Sequence, residues 1–318
     1  MDAVSTVRRR IFQIDIRLMD FLPPEFIQYL APGTDRCAFI QKWLLSHGVE
    51  SAVTVIDGKR HVLVQFAPSA YNSRFRIKTI VAHYDRVQGS PGANDNSAAD
   101  WFIMQWAVWL KTFSGFHNVR IFFTDGEELG WQTGVTEQGA FGIASVFRRL
   151  GIVHDDVYVF DSCGRGEVPV LAKTVLPKNT ARGFVNQFSG LYDRAQNLLR
   201  LASPGRWMCL PVPYSDNASF LACGIPAVAI TMLPADEATF YARELMADKT
   251  LEGAVMNRMA TKQQRLDGTL KDYVYKERMP LTWRLFHTEQ DNVASLTAVS
   301  ESVMQQILRA IAEQKTLA

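Results

Sequence analysis

Four apolar runs constrain this chain more than anything else in it: IKTIVAHYD, VRIFFTDGEE, DVYVFDSCG and IPAVAITML. Each is too short for a typical helix and uniformly apolar instead of alternating, so each predicts a strand covered on both faces. Segments with helical spacing intervene: AADWFIMQWAVWLKTF, GAFGIASVFRRLG and ARGFVNQFSGLYDRAQNLLRLA. Strands and helices in alternation build a largely parallel sheet with helices on each side. In such sheets the ligand site lies beyond the carboxyl ends of the strands. Polar residues gather at that edge: His83 and Asp85 after the first run, Asp125, Glu127 and Glu128 after the second, and Asp161 after the third.

The flanking regions read differently. The first ~50 residues predict helices, RRRIFQIDIRLMDFL and then RCAFIQKWLLSHG with Gly48 as its C-cap. VESAVTVID and KRHVLVQFAP predict a hairpin across Asp57-Gly58. From about Pro234 to Leu285 the alternation is interrupted by ATFYARELMADKTLEGAVMNRMATKQQRL, a helical insertion that either packs at the site or forms a peripheral hairpin. No repeat divides the chain, and residues 1–318 are expected to form one domain. The net charge of +2, without a basic block, gives no reason to expect nucleic acid or an anionic membrane as partner. The N-terminal stretch lacks a continuous apolar core and a small-residue cleavage site, so no signal peptide is expected. No run approaches the ~18–20 apolar residues of a membrane span. Cys37, Cys163, Cys209 and Cys223 are scattered without CxxC spacing, as in a reducing, cytoplasmic setting.

Three carboxylates directly beyond a dry strand raise one another's pKa, unless a cation or a shared proton holds them together. On an extended chain residues i and i+2 share a face, so Asp85 can reach back to orient the His83 ring. Asp95 follows in the turn VQGSPGANDNSAAD, and His287 sits in FHTEQDN. Each has an ordinary reading alone: a helix cap for Asp95, a solvated turn for Glu127 and Glu128, a cap or turn for Asp161, a hydrogen-bonded ring for either histidine. Cys163 reads as a buried structural thiol. Together, two imidazoles and several carboxylates at one edge point to a divalent metal, best zinc, with cobalt or manganese as substitutes. GxSxG, P-loop and GxGxxG motifs are absent from the sequence.

The pieces AHYD, SPGANDNSAA, FFTDGEELG, VFDSCG, YSDNASFLACGIPAV and HTEQDN, spread over residues 77–292, carry a resemblance. The chain resembles the zinc-dependent aminopeptidases of the bacterial leucyl-aminopeptidase type, whose fold the animal glutaminyl cyclases share. That resemblance implies a three-layer α/β/α sandwich with a mostly parallel mixed sheet, the phosphorylase/hydrolase-like fold. It implies Asp95 bridging two zinc ions, with Glu128 and His287 completing one shell and His83 and Asp161 the other. Glu127 would be the general base toward a zinc-activated water, with Asp85 beside it in the catalytic set. Trp131, Asp216, Asn217 and Phe286 would contact a peptide substrate with a free N-terminus.

The departures point both ways. The family often has Ser-Asp-His where this chain has Ser215-Asp216-Asn217, and its aminopeptidases usually have Thr where this chain has Asn292. The loop GWQTGVTEQGAFG with Trp131 resembles the cyclases, whereas Phe286 stands where they have Trp, and GANDNSAA resembles the peptidases. The expected function is therefore an aminopeptidase. The alternatives are a glutaminyl-peptide cyclase-like acyltransferase and a non-catalytic peptide-binding relative.

Overall fold

Asp57 and Gly58 both hold left-handed φ angles, 49° and 77°, and this lets the chain reverse in two residues. The strands on either side, β1 (Ala52–Ile56) and β2 (Lys59–Gln65), pair antiparallel with Ile56 opposite Lys59, so the expected hairpin forms. The structure is a computed structural model that describes residues 22–129, 134–256 and 277–318.

Six more strands follow: β3 (Lys78–His83), β4 (Val119–Thr124), β5 (Asp156–Phe160), β6 (Val168–Ala172), β7 (Met208–Leu210) and β8 (Ala227–Leu233). They join one eight-stranded sheet in the order β1-β2-β4-β3-β5-β8-β6-β7. The centre, β4-β3-β5-β8, is parallel, while β2 pairs antiparallel with β4 and β6 antiparallel with β8. The four apolar runs of the sequence are these four central strands. β6 and β7 were not among the strands expected; the first contains Pro169 and the second has three residues.

Side chains of the central strands alternate between two dry faces. Ile80 and Ala82, Ile121 and Phe123, Tyr158 and Phe160 pack on one side, against helices Pro24–Leu30, Arg36–Ser46, Ala98–Leu110, Arg182–Ala202 and Ala298–Glu313. Val81, Phe122, Val157 and Val159 pack on the other, against Gly139–Arg149 and Asn217–Ala222. Burying one such side chain contributes about 1.5–3 kcal/mol, and both faces need it, which is why the runs show no polar alternation. The helices predicted from RCAFIQKWLLSHG, AADWFIMQWAVWLKTF, GAFGIASVFRRLG and ARGFVNQFSGLYDRAQNLLRLA form; the first is capped by Asp35, which accepts from the Ala38 N–H, and stops before Gly48 (φ 72°). The helix expected over RRRIFQIDIRLMDFL lies outside the described residues, apart from its last residue.

Of the 234–285 segment, helices Ala235–Ala247, Lys249–Met256 and Leu281–Arg284 are described, and residues 257–276 lie outside. Tyr241, Leu251, Val255 and Trp283 pack against Val168, Val170 and Leu233 of β6 and β8. The described part of the segment is thus fastened beside β6 and β8. None of the described helices is long and apolar enough to cross a membrane.

Candidate active site

The parallel register puts the polar strand ends side by side. His83, the last residue of β3, pairs with Thr124 at the end of β4. Strand β5, on the other flank of β3, ends at Phe160 and delivers Asp161. His83 is therefore central, with Glu127 and Glu128 on one side and Asp161 on the other. Asp95 enters from the turn Ala93–Ser97, where Asp95 and Asn96 leave helical geometry. Its peptide bond to Asn96 is cis. His287 comes from the turn that follows the short helix Leu281–Arg284, with φ 61°.

These residues converge. His83 Nε2 lies 3.3 Å from Asp95 Oδ1 and 3.9 Å from Asp161 Oδ2. His287 Nε2 lies 3.5 Å from Asp95 Oδ2 and 2.9 Å from Glu128 Oε2. Two trios, His83–Asp95–Asp161 and Asp95–Glu128–His287, each bring one donor atom per residue within 4.8 Å of the others. Asp95 belongs to both, one oxygen toward each histidine.

Burial sets the charges here. Burial, and then the charge of Asp95, pushes the Glu128 carboxyl up to about 10. Burial also raises Glu127 well above the carboxylate range and raises Asp161 from its ordinary value, each against the opposing charge of His83. Asp95 would rise for the same reason, but the nearby His83 ring and the charges of His83 and His287 hold it below its ordinary value. Burial alone would lower His83; its carboxylate neighbours, Asp85 and Asp95 foremost, raise it well above the usual imidazole value. The cluster is an acidic, dry hole that favours a cation or protons.

The surrounding contacts fix its geometry. Asp85 Oδ1 stands 3.5 Å from His83 Nδ1, but neither ring nitrogen of His83 is hydrogen-bonded. The carboxylate of Asp85 instead accepts the backbone N–H groups of Glu127 and Glu128, both at 3.1 Å. Shared facing puts Asp85 near the ring, yet its bonds go to the turn that carries both glutamates. Gln138, which sequence reasoning missed, donates to Glu127 Oε1 at 2.9 Å while accepting from the Ser219 hydroxyl at 2.7 Å. Asp291, also missed, accepts the N–H groups of Asn94 and Asp95 at 2.8 and 3.1 Å. Only its place inside HTEQDN could have drawn attention to it. Ser162, at φ 57°, donates to Asp161 Oδ1 at 2.8 Å.

The expected substrate contacts separate. Phe286 lines a cavity of about 80 Å³ beside Glu127, together with Trp283, Tyr214 and Val135. Asp216 is fully buried behind it, bonded by Thr124 Oγ1 at 2.5 Å, and burial pushes its carboxyl up to about 7. Asn217 lines a different groove. Asn292 accepts from the Ala294 N–H and donates to the Glu289 carbonyl, so its amide closes a local turn. Trp131 lies outside the described residues.

The sequence matches the model of a family described as Peptidase family M28 over residues 62–312. No curated protein matches it. The fold is similar to that of the LapA aminopeptidase of Legionella pneumophila, at 15% identity and a TM-score of 0.57, over 94% of this chain and 73% of that one. It is similar too to the glutaminyl cyclase of Porphyromonas gingivalis (17% identity, TM-score 0.56, 96% and 97% covered). The glutaminyl cyclase of Tannerella forsythia gives 14% identity and a TM-score of 0.56, with 96% and 98% covered. At such identities the likeness is one of fold alone.

Proposed function

Because this chain belongs to peptidase family M28, we propose that it is a metal-dependent aminopeptidase removing N-terminal residues from unblocked peptides. The observation that carries this reading is Asp95, whose two oxygens face two separate ligand trios. A hydrolase that works with a pair of metals needs two such ligand sets side by side.

The residues fit the group. Both nitrogens of the buried His83 ring lack a hydrogen-bond partner, and the surrounding carboxyls are held in a dry cluster that an ion would neutralise. His83, Asp95 and Asp161 would hold one ion, and Asp95, Glu128 and His287 the other. Nitrogen and oxygen donors suit zinc, with cobalt or manganese as substitutes. The metal, when bound, would polarise the scissile carbonyl and make water a stronger acid.

The remaining steps rest on the chain's own groups. Glu127 is the proton carrier: Gln138 occupies Oε1, which leaves Oε2 to take a proton from the attacking water and return it to the leaving nitrogen. Asp85 holds Glu127 at a fixed height through its backbone N–H. Phe286, Trp283 and Val135 keep bulk water from the reacting bond. The carboxylates attract the substrate's terminal ammonium, and an acetylated amine would lose that attraction. The described cysteines are all free, in keeping with a cytoplasmic protein acting on peptides.

One observation favours a second reading. The trio Asp95, Glu128 and His287 is complete by itself, and the cavity beside it is small and walled by Trp283, Phe286 and Tyr214. Such walls would fold an N-terminal glutamine side chain back toward its own amine, as a cyclase requires. Metal-loaded protein incubated with peptides beginning in Leu, Ala or Gln, free and acetylated, and followed by mass, tests both readings. Release of the first residue from free peptides alone is the expected result. Ammonia loss from the Gln peptide without cleavage of any peptide would put the second reading in place of the first.

A further inference from the structure

Asp125, the first of the three carboxylates beyond β4, takes no part in the ligand trios. Its contacts run the other way, to β2. On that side β2 outruns its neighbour: the ladder between them joins Val62–Gln65 of β2 to Arg120–Phe123 of β4 and stops there, although β2 begins at Lys59. Side chains carry the pairing past that point. The Arg60 N–H donates to Asp125 Oδ2 at 3.2 Å, and the Asp125 N–H donates to His61 Nδ1, also at 3.2 Å. The two strands are thus clamped reciprocally where their backbone pairing has ended.

The clamp holds the turn that delivers the proposed base. From Asp125 to Glu128 the chain turns through Gly126, at φ 80°. Its backbone groups are bonded from outside: the Asp125 N–H to His61, the Gly126 carbonyl to the Gly139 N–H at 3.3 Å, and the Glu127 and Glu128 N–H groups to Asp85. Asp85 fixes the far end of the turn, and His61 fixes the near end, two residues ahead of Glu127. The His61 ring is fully buried, and its Cε1 stands 2.6 Å from where a Cβ on Gly139 would be.

Imidazole is a poor choice for mere filler at this place. Because Nδ1 accepts an N–H, the ring hydrogen sits on Nε2, and that group is buried without a hydrogen-bond partner among the described residues. An unpaired buried donor is unfavourable, and an apolar side chain of similar size would avoid it. Burial, with the charge of Lys59, pushes the ring down to about 4, so Nδ1 stays an acceptor at neutral pH. What the ring contributes against that penalty is one bond, made to the turn that carries Glu127.

We propose that His61 is a positioning residue for the peptidase reaction: through the Asp125 N–H it sets the path of the turn from which Glu127 reaches the attacking water. The assignment rests on the reading of Glu127 as proton carrier. It also gives Asp125 a place in the acidic turn that neither metal nor base requires.

His61→Asn and His61→Leu test it as a pair. Asn Oδ1 stands as many bonds from the backbone as His Nδ1 and can accept the same N–H, whereas Leu fills more of the ring's space and accepts nothing. His61→Leu should lower kcat about 10–100-fold, as a small misplacement of a reacting group does, with KM and zinc content unchanged. His61→Asn should recover most of that loss. Amide exchange on the zinc-loaded proteins, followed by mass spectrometry, should be faster around Asp125 in the Leu variant and protected in the Asn variant, independently of turnover. The parent protein supplies a readout that needs no variant: with isotope-labelled histidine, nitrogen–proton correlation spectra should show the His61 hydrogen on Nε2. A Leu variant as active as the parent, or more active than the Asn variant, would overturn the proposal in favour of packing alone. Zinc loss in step with kcat, or a ring hydrogen on Nδ1, would overturn it as well. Absence of turnover by the parent with every free-amine peptide would overturn the underlying reading instead, a failure that shows before any variant is made.

Discussion

Gln138 Nε2 donates to Glu127 Oε1 at 2.9 Å, and its own carbonyl oxygen is held by Ser219, so the amide cannot turn over without losing a bond. One oxygen of the proposed base is thereby fixed as an acceptor. Gln138→Leu should lower kcat about 10–100-fold with KM and metal content unchanged, since one lost hydrogen bond to a charged group is worth roughly 1.5–3 kcal/mol. Glu127→Gln should keep the metal and lose about 10²–10⁴-fold in kcat. Kinetics beside elemental analysis separate the two effects, and loss of metal in either variant would contradict these roles.

Glu128→Gln and His287→Ala should lose metal before anything else, because both contribute to the trio around Asp95 Oδ2. Asp291→Ala acts one step further out. It strips the acceptor from two buried N–H groups, at about 1–3 kcal/mol each. Metal affinity should fall by about 10–100-fold in that variant, the usual effect of removing a partner that orients a ligand. Titration of the apoprotein with zinc, read by competition with a chelating dye, gives the affinities.

Asp100 is fully buried, and burial pushes its carboxyl up to about 8, against the hydrogen bond that Tyr29 donates to it at 2.7 Å. The folded form therefore keeps this proton while an unfolded chain releases it near pH 3.9. The contribution to stability is fully present at acid pH and is lost as pH rises from about 4 through about 8. Asp100→Asn removes this dependence. Thermal unfolding of the variant relative to the parent should thus shift upward as the buffer moves from pH 5 to pH 8. A constant difference across that range would show that the group titrates normally.

Gly139 begins the helix behind the glutamate turn with no room for a side chain. A Cβ there would stand 1.8 Å from the Asp125 carbonyl oxygen and 2.6 Å from His61 Cε1. Gly139→Ala should cost about 1–3 kcal/mol, as overpacking does, and should lower kcat because the displaced backbone leads directly into Glu127. Gly183→Ala, with nothing within 4 Å, is the control and should be silent.

How much of this the sequence displays depends on the range of the interaction. β3, β4, β5 and β8 are legible because both of their faces are dry, which forbids polar alternation. β6 escapes because Pro169 argues against a strand within a sheet, and β7 because three residues are too few to show a pattern. His83, Asp95, Glu127, Glu128, Asp161 and His287 are legible as chemistry at strand ends, and the structure brings them together. The partners of Asp85 are not: period two says which face a side chain takes, not which of two nearby groups it bonds. Gln138 reaches Glu127 from across a loop, and Asp291 reaches Asn94 from 197 positions away, so no local pattern marks either one. Asn292 is the reverse case, a conspicuous departure in the sequence whose amide serves its own turn.

The link between Asp291 and the turn at Asn94 and Asp95 also bears on how the protein comes to life. Contacts between such distant positions close late, because the entropy of a long loop must be overcome before the contact can reward it. His287 arrives on the same short segment, so the ligand and the support of Asp95 are delivered in one event. A chain caught midway in folding would have its sheet and its two glutamates and still lack the trio of Asp95, Glu128 and His287. The proposed peptidase would therefore switch on as a unit at the end of folding, and incomplete chains, among the softest protein targets in a cell, would not meet a half-built enzyme made from their own kind.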